Sequence, residues 1–382
     1  MNNRYRRYKN YQELPESYSD LLTLSAEKGF FYDRPWLEFL MEKYYSDESE
    51  MCLIGVEQES DGKPLFLAPL RMTRSDGAVF GARTLTSIGH MENYSLINFL
   101  FSPCVPASEY PILLSALMKE LREGCDQLGL PAADVIRLWP AERGSELASL
   151  VHQSLRNAGY YVQVYDNSYN QYEVTTDLDY EGYFQSRSSN HRYNVRRRER
   201  NLEKEGRVKF ELCTDDKDAE KFQKLLDGYI LSSVVSWKEP GSMVSKGILD
   251  LIKLTAERGC MRLGVLYLDD RPVAAQYWVV SGGVASCLRL GYDEKYKIEA
   301  PGVVLTGFMI QHLLDQDGVG LLDYGYGNDE YKKKWTKDSR FYVGFMAFNS
   351  STWRGRYFAA KHILGRKVKR KLARFSGKNG EP

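Results

Sequence analysis

Residues 321–337, LLDYGYGNDEYKKKWTK, bring together an acid, two glycines, four tyrosine or tryptophan rings and a burst of lysines. The apolar start reads as a buried strand that ends near Asp323 or Tyr324. Gly325 and Gly327 allow tight turns and a close approach of backbone. Tyr331 and Trp335, four residues apart, can share one face of a helical turn that also carries Lys332. Two readings stand side by side: a polar, aromatic site at a strand end, or a capped turn with solvated lysines.

A second candidate is KIEAPGVVLTGFMIQHL. Pro301 closes an extended segment and Gly302 frees the backbone just before a helix, whose unpaired N–H groups and partial positive charge can hold a phosphate. The plain alternative is a Pro-Gly turn that starts a helix. A third candidate is SSNHRYNVRRRERNLEKEGRVKFEL, where Ser188 or Ser189 caps a helix and Gly206 ends it. Arg192, Arg196 and Arg200 fall at i, i+4 spacing and form one row, which costs helix stability. Such a face either stays in water or meets an anionic partner. Trp237 and Lys238, after a long helix, read as a cleft wall or as a buried ring beside an exposed amine. Arg289, in VASCLRLGY, is placed by strand alternation with Cys287 and Gly291, opposite Leu288 and Leu290. An arginine there pairs with an acid or lines a site.

Other chemistries lack their residues. There is no G-x-S-x-G, H-E-x-x-H or P-loop, and the histidines at 90, 152, 191, 312 and 362 are dispersed. The six cysteines form no C-x-x-C pair, so reduced, isolated thiols are expected and no metal.

These candidates need elements to position them. At 382 residues the expectation is two domains. Residues 17–45 read as helical, MCLIGVEQ and LFLAPLRM as a hairpin, GAVFGARTLTSI and NYSLINFLF as further strands. EYPILLSALMKELREGCDQLG is an amphipathic helix and DVIRLWP a strand after it. The second half repeats the plan with MRLGVLYL, VAAQYWVV, VASCLRLGY, the helix VVLTGFMIQHLLDQ and LLDYGY. Gly55-Val56 aligns with Gly264-Val265, and Lys63-Pro64 with Arg271-Pro272, which points to a duplication.

Net charge is +1, yet residues 354–378 hold ten Lys or Arg and no acid. Leu364, Val368, Leu372 and Phe375 follow helical spacing within that run, which suits an anionic membrane surface or a helix packed on the second domain. No signal peptide and no long apolar run is read, so the expected place is the cytoplasm, with peripheral contact to the inner membrane face as a variant.

Four stretches carry a family resemblance: FYDRPWLEFL, NHRYNVRRRERNLEKEGRVKFE, RPVAAQYWVV with APGVVLTGFMI, and DYGYGNDEYKKKW. Together, over most of residues 25–350, they resemble GNAT-type acyltransferases of the BioF2-like, cellulose-biosynthesis CelD-like group, and more distantly FemAB aminoacyltransferases. The resemblance implies two tandem GNAT-like α/β domains, each a mixed, mostly antiparallel sheet flanked by helices. Residues 1–175 would be an N-terminal domain that shapes the acceptor side, 176–352 the catalytic domain and 353–382 a basic helix and tail. It implies acyl transfer from acyl-CoA, acetyl or longer, to an amine of a small molecule or sugar in polysaccharide or envelope synthesis. Pro301, Gly302, Val303, Val304 and Leu305 would form the acyl-CoA loop, although the full Q/R-x-x-G-x-G/A pattern of that loop is absent. Asp323 would be the base or its orienter, Tyr324 or Tyr331 the acid, and Lys332 would meet the donor or a developing oxyanion. Arg192, Arg196 and Arg200 would bind phosphate, with Trp237, Lys238 and Arg289 beside the substrate. The alternatives are a transferase that uses aminoacyl-tRNA, the one nucleic acid expected, or a non-catalytic binding protein on the same scaffold.

Overall fold

The structure, a computed structural model, describes residues 3–44, 51–74, 81–88, 96–235 and 244–362. Trp237 and Lys238 lie outside the described residues, as do Leu364, Val368, Leu372 and Phe375.

In chain order the elements are β1 (Asn3–Tyr8), α1 (Ser19–Glu27), α2 (Arg34–Tyr44), β2 (Met51–Gln58), β3 (Pro64–Arg74), β4 (Arg83–Ser87), β5 (Leu100–Phe101), α3 (Tyr110–Glu123), β6 (Val135–Glu142), α4 (Glu146–Asn157) and β7 (Tyr161–Val174). They continue with α5 (Tyr180–Gln185), α6 (Ser189–Glu205), β8 (Val208–Cys213), α7 (Ala219–Val234), α8 (Lys246–Glu257), β9 (Met261–Leu268), β10 (Arg271–Ser281), β11 (Val284–Tyr292), α9 (Pro301–Asp315), β12 (Leu321–Tyr326), α10 (Glu330–Trp335) and β13 (Asp338–Phe348). The helix expected over 17–45 is broken in two. Gly29, at φ 117°, leaves the helical region, and the Ser25 hydroxyl donates to the Tyr32 carbonyl at 2.7 Å across the break.

Two compact units result. Unit 1 comprises Met1–Ala26, Phe31–Asn167 and Phe341–Pro382; unit 2 comprises Glu27–Phe30 and Ser168–Arg340. Unit 1 is therefore not the contiguous segment 1–175, because residues from Phe341 onward return to it.

Unit 1 carries the strand order β1-β2-β3-β4-β6-β13, antiparallel except for β4 with β6. Its core lies under α3 and α4, where Leu113, Leu117 and Val151 pack with Leu70, Leu85 and Ile136. Helix α3 has that stripe because its buried residues recur at three- and four-residue steps. The Ser145 hydroxyl caps α4 by accepting the Ala148 amide at 3.2 Å.

Unit 2 carries the order β8-β9-β10-β11-β12-β7, antiparallel except for β11 with β12. Leu305, Met309 and Leu313 of α9 pack with Leu266 and Trp278 on one face, joined by Val195 and Leu202 of α6. On the other face α8 closes over Tyr277, whose hydroxyl lies 2.9 Å from the Thr255 hydroxyl. Each unit thus repeats one plan: three antiparallel steps, a helix, then one parallel step. The aligned glycines have matching jobs, since a Cβ on Gly55 would lie 2.0 Å from the Tyr18 hydroxyl and one on Gly264 2.2 Å from the Met309 sulfur.

Residues 353–362 are helical, and Phe358 and Ala359 pack with Val135 and Phe348 of unit 1. Among the described residues no helix is long and apolar enough to cross a membrane.

Candidate active site

The parallel pair in unit 2 is short. β11 and β12 match only at Val284–Leu321, Ala285–Leu322 and Ser286–Asp323. Beyond these residues β11 stays bonded to β10 and β12 to β7, so the two strands part. A bulge lies just past the parting. Tyr277 faces Arg289 and Trp278 faces Cys287, which leaves Leu288 as the extra residue. A bulge breaks the ladder locally and re-aims side chains at a strand rim.

The bulge also overturns one expectation. Cys287 packs in the core beneath α9, whereas Arg289 shares the opposite face with its cross-strand partner Tyr277. Burial holds the Tyr277 and Tyr229 phenols protonated, and the nearby Arg289 offsets part of that effect. One arm of Arg289 donates to the Leu288 carbonyl at 2.9 Å. Strict alternation fails here because the extra residue flips the register by one side chain.

Midway along β12, where its pairing with β7 shifts between Asp323 and Tyr326, the acid is fully engaged. Asp323 Oδ1 accepts from Asn170 Nδ2 at 2.8 Å and from the Gly325 amide at 2.7 Å, and Oδ2 accepts from Arg340 Nη2 at 2.7 Å. Arg340 Nε also donates to Asn170 Oδ1 at 2.8 Å. These contacts hold the turn at Gly325 (φ 67°) and Gly327 (φ 117°). With three donors on its oxygens, Asp323 anchors the turn, and the reading of it as proton acceptor gives way.

Tyr324 is placed differently. Its ring is 3% exposed, meets Trp278 edge-on at 5.2 Å, and its hydroxyl is buried with no hydrogen-bond partner among the described residues. Burial raises this phenol well above its ordinary value, with Tyr183, Cys287 and Tyr331 adding to the effect. The proton stays on the oxygen, so the group is a hydrogen-bond donor without an acceptor, beside the place where β11 and β12 separate. Buried polar groups are rarely left this way.

The helical turn α10 sorts its residues by burial. Trp335 is 2% exposed, while Tyr331 lies at the surface, so the two rings share no environment. Lys332 is buried, donates to the Tyr326 carbonyl and lies 3.5 Å from an Asp329 oxygen. Lys333 is half exposed and bonds Glu330 at 2.7 Å. Among the three lysines, only Lys332 turns inward to the end of β12.

Helix α9 begins abruptly. Ala300 holds φ 52° and ψ 59°, a left-handed conformation uncommon outside glycine, and no side chain caps the helix. Pro301 occupies the first turn, where its missing N–H costs nothing. A buried chain fixes this turn: Trp278 Nε1 donates to Gln276 Oε1 at 2.7 Å, Gln276 Nε2 to Thr306 Oγ1 at 2.6 Å, and Thr306 Oγ1 to the Gly302 carbonyl at 2.7 Å. Residues 301–305 are therefore the first turn of a helix and not a loop. Val304 and Leu305 belong to the core, so backbone at Gly302 and Val303 is what this end offers a ligand.

The arginines of α6 divide in the same way. Arg192 is spent on the carbonyls of Gln185 and Arg187, both at 2.7 Å, which removes it from the expected phosphate row. Arg196 lies over the Phe184 ring at 5.4 Å and, like Arg200, is exposed. Arg198, outside that row, reaches the Ile298 carbonyl just before α9 at 3.5 Å. Burial, then Arg197, lowers the pKa of Arg198.

Sequence reasoning missed the support beneath α10. Arg187 forms a buried ion pair with Glu173, their side chains 2% and 4% exposed. Arg187 Nη1 and the Tyr183 hydroxyl both donate to the Trp335 carbonyl, at 3.0 and 2.5 Å, and Glu173 accepts the Lys337 amide at 2.6 Å. The signal was faint: one arginine just before the cap of an arginine-rich helix.

His191 packs edge-on against Trp335 at 4.5 Å, with Nε2 buried and without a partner. Burial, then Lys334 and Arg187, pushes its pKa from 6.5 down to about 4. As pH falls, the unfolded chain takes up this proton first, so stability falls between the unfolded value and the folded one. The urea midpoint of the wild type is expected to drop between pH 6.5 and about 4, and His191→Leu to flatten that slope. Parallel slopes in the two proteins would remove His191 as the cause.

Unit 1 repeats the parallel step without the opening. β4 and β6 match at Thr84–Val135, Leu85–Ile136 and Thr86–Arg137. Next to them the Ser87 hydroxyl donates to the Trp139 carbonyl at 2.8 Å and accepts the Trp139 amide at 3.2 Å, which stitches the strands together. No cluster of three or more metal-ligating side chains occurs among the described residues.

Residues 189–333 match the family described as Acetyltransferase (GNAT) domain. No curated protein matches the chain. Among solved structures the chain is similar to FemX, at 11% identity over 92% of this chain and 98% of that one, with a TM-score of 0.55. It is similar to a conserved protein of unknown function from Bacteroides thetaiotaomicron, at 8% identity over 86% and 92%, with a TM-score of 0.50. It is also similar to a tandem GNAT protein from the clavulanic acid biosynthesis pathway, at 12% identity over 91% and 98%, with a TM-score of 0.45. At these identities the likeness is one of fold.

Proposed function

With residues 189–333 forming a GNAT-type acetyltransferase domain, we propose that the chain transfers an acyl group from acyl-CoA, acetyl or longer, to the amine of a small-molecule or sugar acceptor. The observation that carries this reading is the partnerless Tyr324 hydroxyl beside the parting of β11 and β12. Acyl transfer to an amine builds negative charge on the carbonyl oxygen and then on the departing sulfur. A buried donor with no partner among the described residues is suited to that charge, because no bond seen there has to break first.

The remaining residues support the same reading in named roles. The uncapped start of α9, at Gly302 and Val303, with Arg198 reaching the segment before it, suits a phosphate-bearing donor. Lys332 fixes the Tyr326 carbonyl and Asp323 fixes the turn at Gly325, so both position the end of β12. Tyr331, at the surface, is the lesser candidate for the acid. The amine must lose a proton, and with Asp323 occupied a water molecule is the proposed acceptor.

The exposed Arg196 and Arg200 favour a second reading, in which the donor is a charged tRNA. Thermal shift separates the two. Acyl-CoA at about 100 times its Kd is expected to add about 2.7 kcal/mol to the folded state, a rise of roughly 3 °C in Tm. No shift with acetyl-CoA or longer acyl-CoA at millimolar concentration, together with salt-sensitive binding of aminoacyl-tRNA, would overturn the first reading in favour of the second.

A further inference from the structure

The paired residues Thr86–Arg137 in unit 1 occupy the same step of the plan as Ser286–Asp323 in unit 2. The position that holds an acid in one unit therefore holds a base in the other. Arg137 projects from a central strand on the face away from α3 and α4, because its neighbours Ile136 and Leu138 belong to the core beneath those helices. Pairing across the sheet sets Arg71, Thr86, Arg137 and Met346 in one row on that face.

The contacts of Arg137 among the described residues are aromatic and include no counter-charge. Its guanidinium carbon lies 5.3 Å from the Trp139 ring centre and 5.9 Å from that of Tyr165. Nε donates to the Tyr165 hydroxyl at 3.3 Å, which is its single hydrogen bond among the described residues. Tyr165 in turn rests on bare backbone, since a Cβ on Gly344 would lie 2.3 Å from its ring. Arg137 makes no ion pair among the described residues, and its two terminal amino groups have no acceptor there. An arginine half-buried in a sheet ordinarily pairs with an acid. Here the guanidinium lies near two rings, Nε is held by Tyr165, and the two terminal amino groups are left over, the pair that takes two oxygens of one oxyanion at once.

We propose that unit 1 binds a small molecule through an oxyanion, carboxylate or phosphate, at the fork of Arg137, with Thr86 and Tyr165 offering hydroxyls beside it. The site uses none of the proposed acyl-transfer residues of unit 2, and it does not depend on which donor those residues use.

Isothermal titration of the full chain tests this with three probes: glucuronate, glucose 1-phosphate and uncharged glucose. Glucuronate or glucose 1-phosphate is expected to bind and glucose to show no heat, and the anion that binds identifies the oxyanion. Arg137→Gln should weaken that binding by about 10- to 100-fold, the worth of a charge-assisted bond. Arg137→Lys keeps the charge and the stem but loses the fork, and should still weaken binding by about tenfold; it serves if the glutamine variant does not fold. The proposal is overturned if neither anion binds at millimolar concentration, if glucose binds as well as the anions, or if either folded variant binds like the wild type.

Discussion

Replacing Tyr324 with Phe is expected to slow turnover by about 10²- to 10³-fold, the usual effect of deleting one donor to a developing oxyanion, while leaving the protein as stable as before or more so. The two halves of this result come from one fact. The Tyr324 hydroxyl is buried without a hydrogen-bond partner, so the folded chain carries its desolvation cost and gains no bond in return. Removing such a group from a core is neutral or stabilising by about 1 kcal/mol. The ring itself, against Trp278 at 5.2 Å, remains. A structural tyrosine would behave in the opposite way, losing stability with its hydroxyl and leaving chemistry alone. Thermal melting and steady-state release of free thiol from an acyl-CoA measure the two quantities side by side. Unchanged kcat in a folded Tyr324→Phe protein would refute the role assigned here. Tyr331→Phe, altered at an exposed ring, should stay within about threefold of the wild type if Tyr324 is the donor.

Arg187→Ala should destabilise the chain by about 3–5 kcal/mol, because it strands the buried Glu173 carboxylate. The partners are 2% and 4% exposed, and the arginine reaches Glu173 with both terminal nitrogens and the Trp335 carbonyl with one of them. Glu173→Gln should cost a similar amount, since it leaves an unpaired buried guanidinium. Combining Arg187→Met with Glu173→Leu should recover part of the loss, because no charge is then left alone in the core. Denaturant midpoints for Arg187→Met, Glu173→Leu and the double close the cycle. A loss below about 1 kcal/mol in both single variants would mean that water reaches the pair. The same singles should slow turnover as well, because the Trp335 carbonyl held by Arg187 ends the turn that carries Lys332.

The sequence by itself determined whatever depends on neighbours a few residues apart. The spacing of Leu113, Leu117 and Leu121 made α3 amphipathic, and the Gly-Val and Lys/Arg-Pro matches disclosed two copies of one hairpin. Gly325 and Gly327 marked a sharp turn at the end of β12, and both adopt positive φ. Period and turn chemistry are local properties, so one chain suffices to read them.

Tertiary structure decided which of the candidate groups are free to act. Asp323 looked like a base until Asn170, 153 residues earlier, and Arg340, 17 residues later, were found on its oxygens. Arg192 belonged to a row of three until two carbonyls claimed it. The extra residue at Leu288 moved Arg289 to the other face of its strand, and alternation along one strand holds no record of the ladder that creates a bulge. Tyr324 stood out for the reverse reason: its buried hydroxyl has no hydrogen-bond partner among the described residues. Partners joined across long stretches of chain are set by the packing of whole sheets, so the difference between Asp323 as a base and Asp323 as an anchor existed only once β7, β12 and Arg340 had come together.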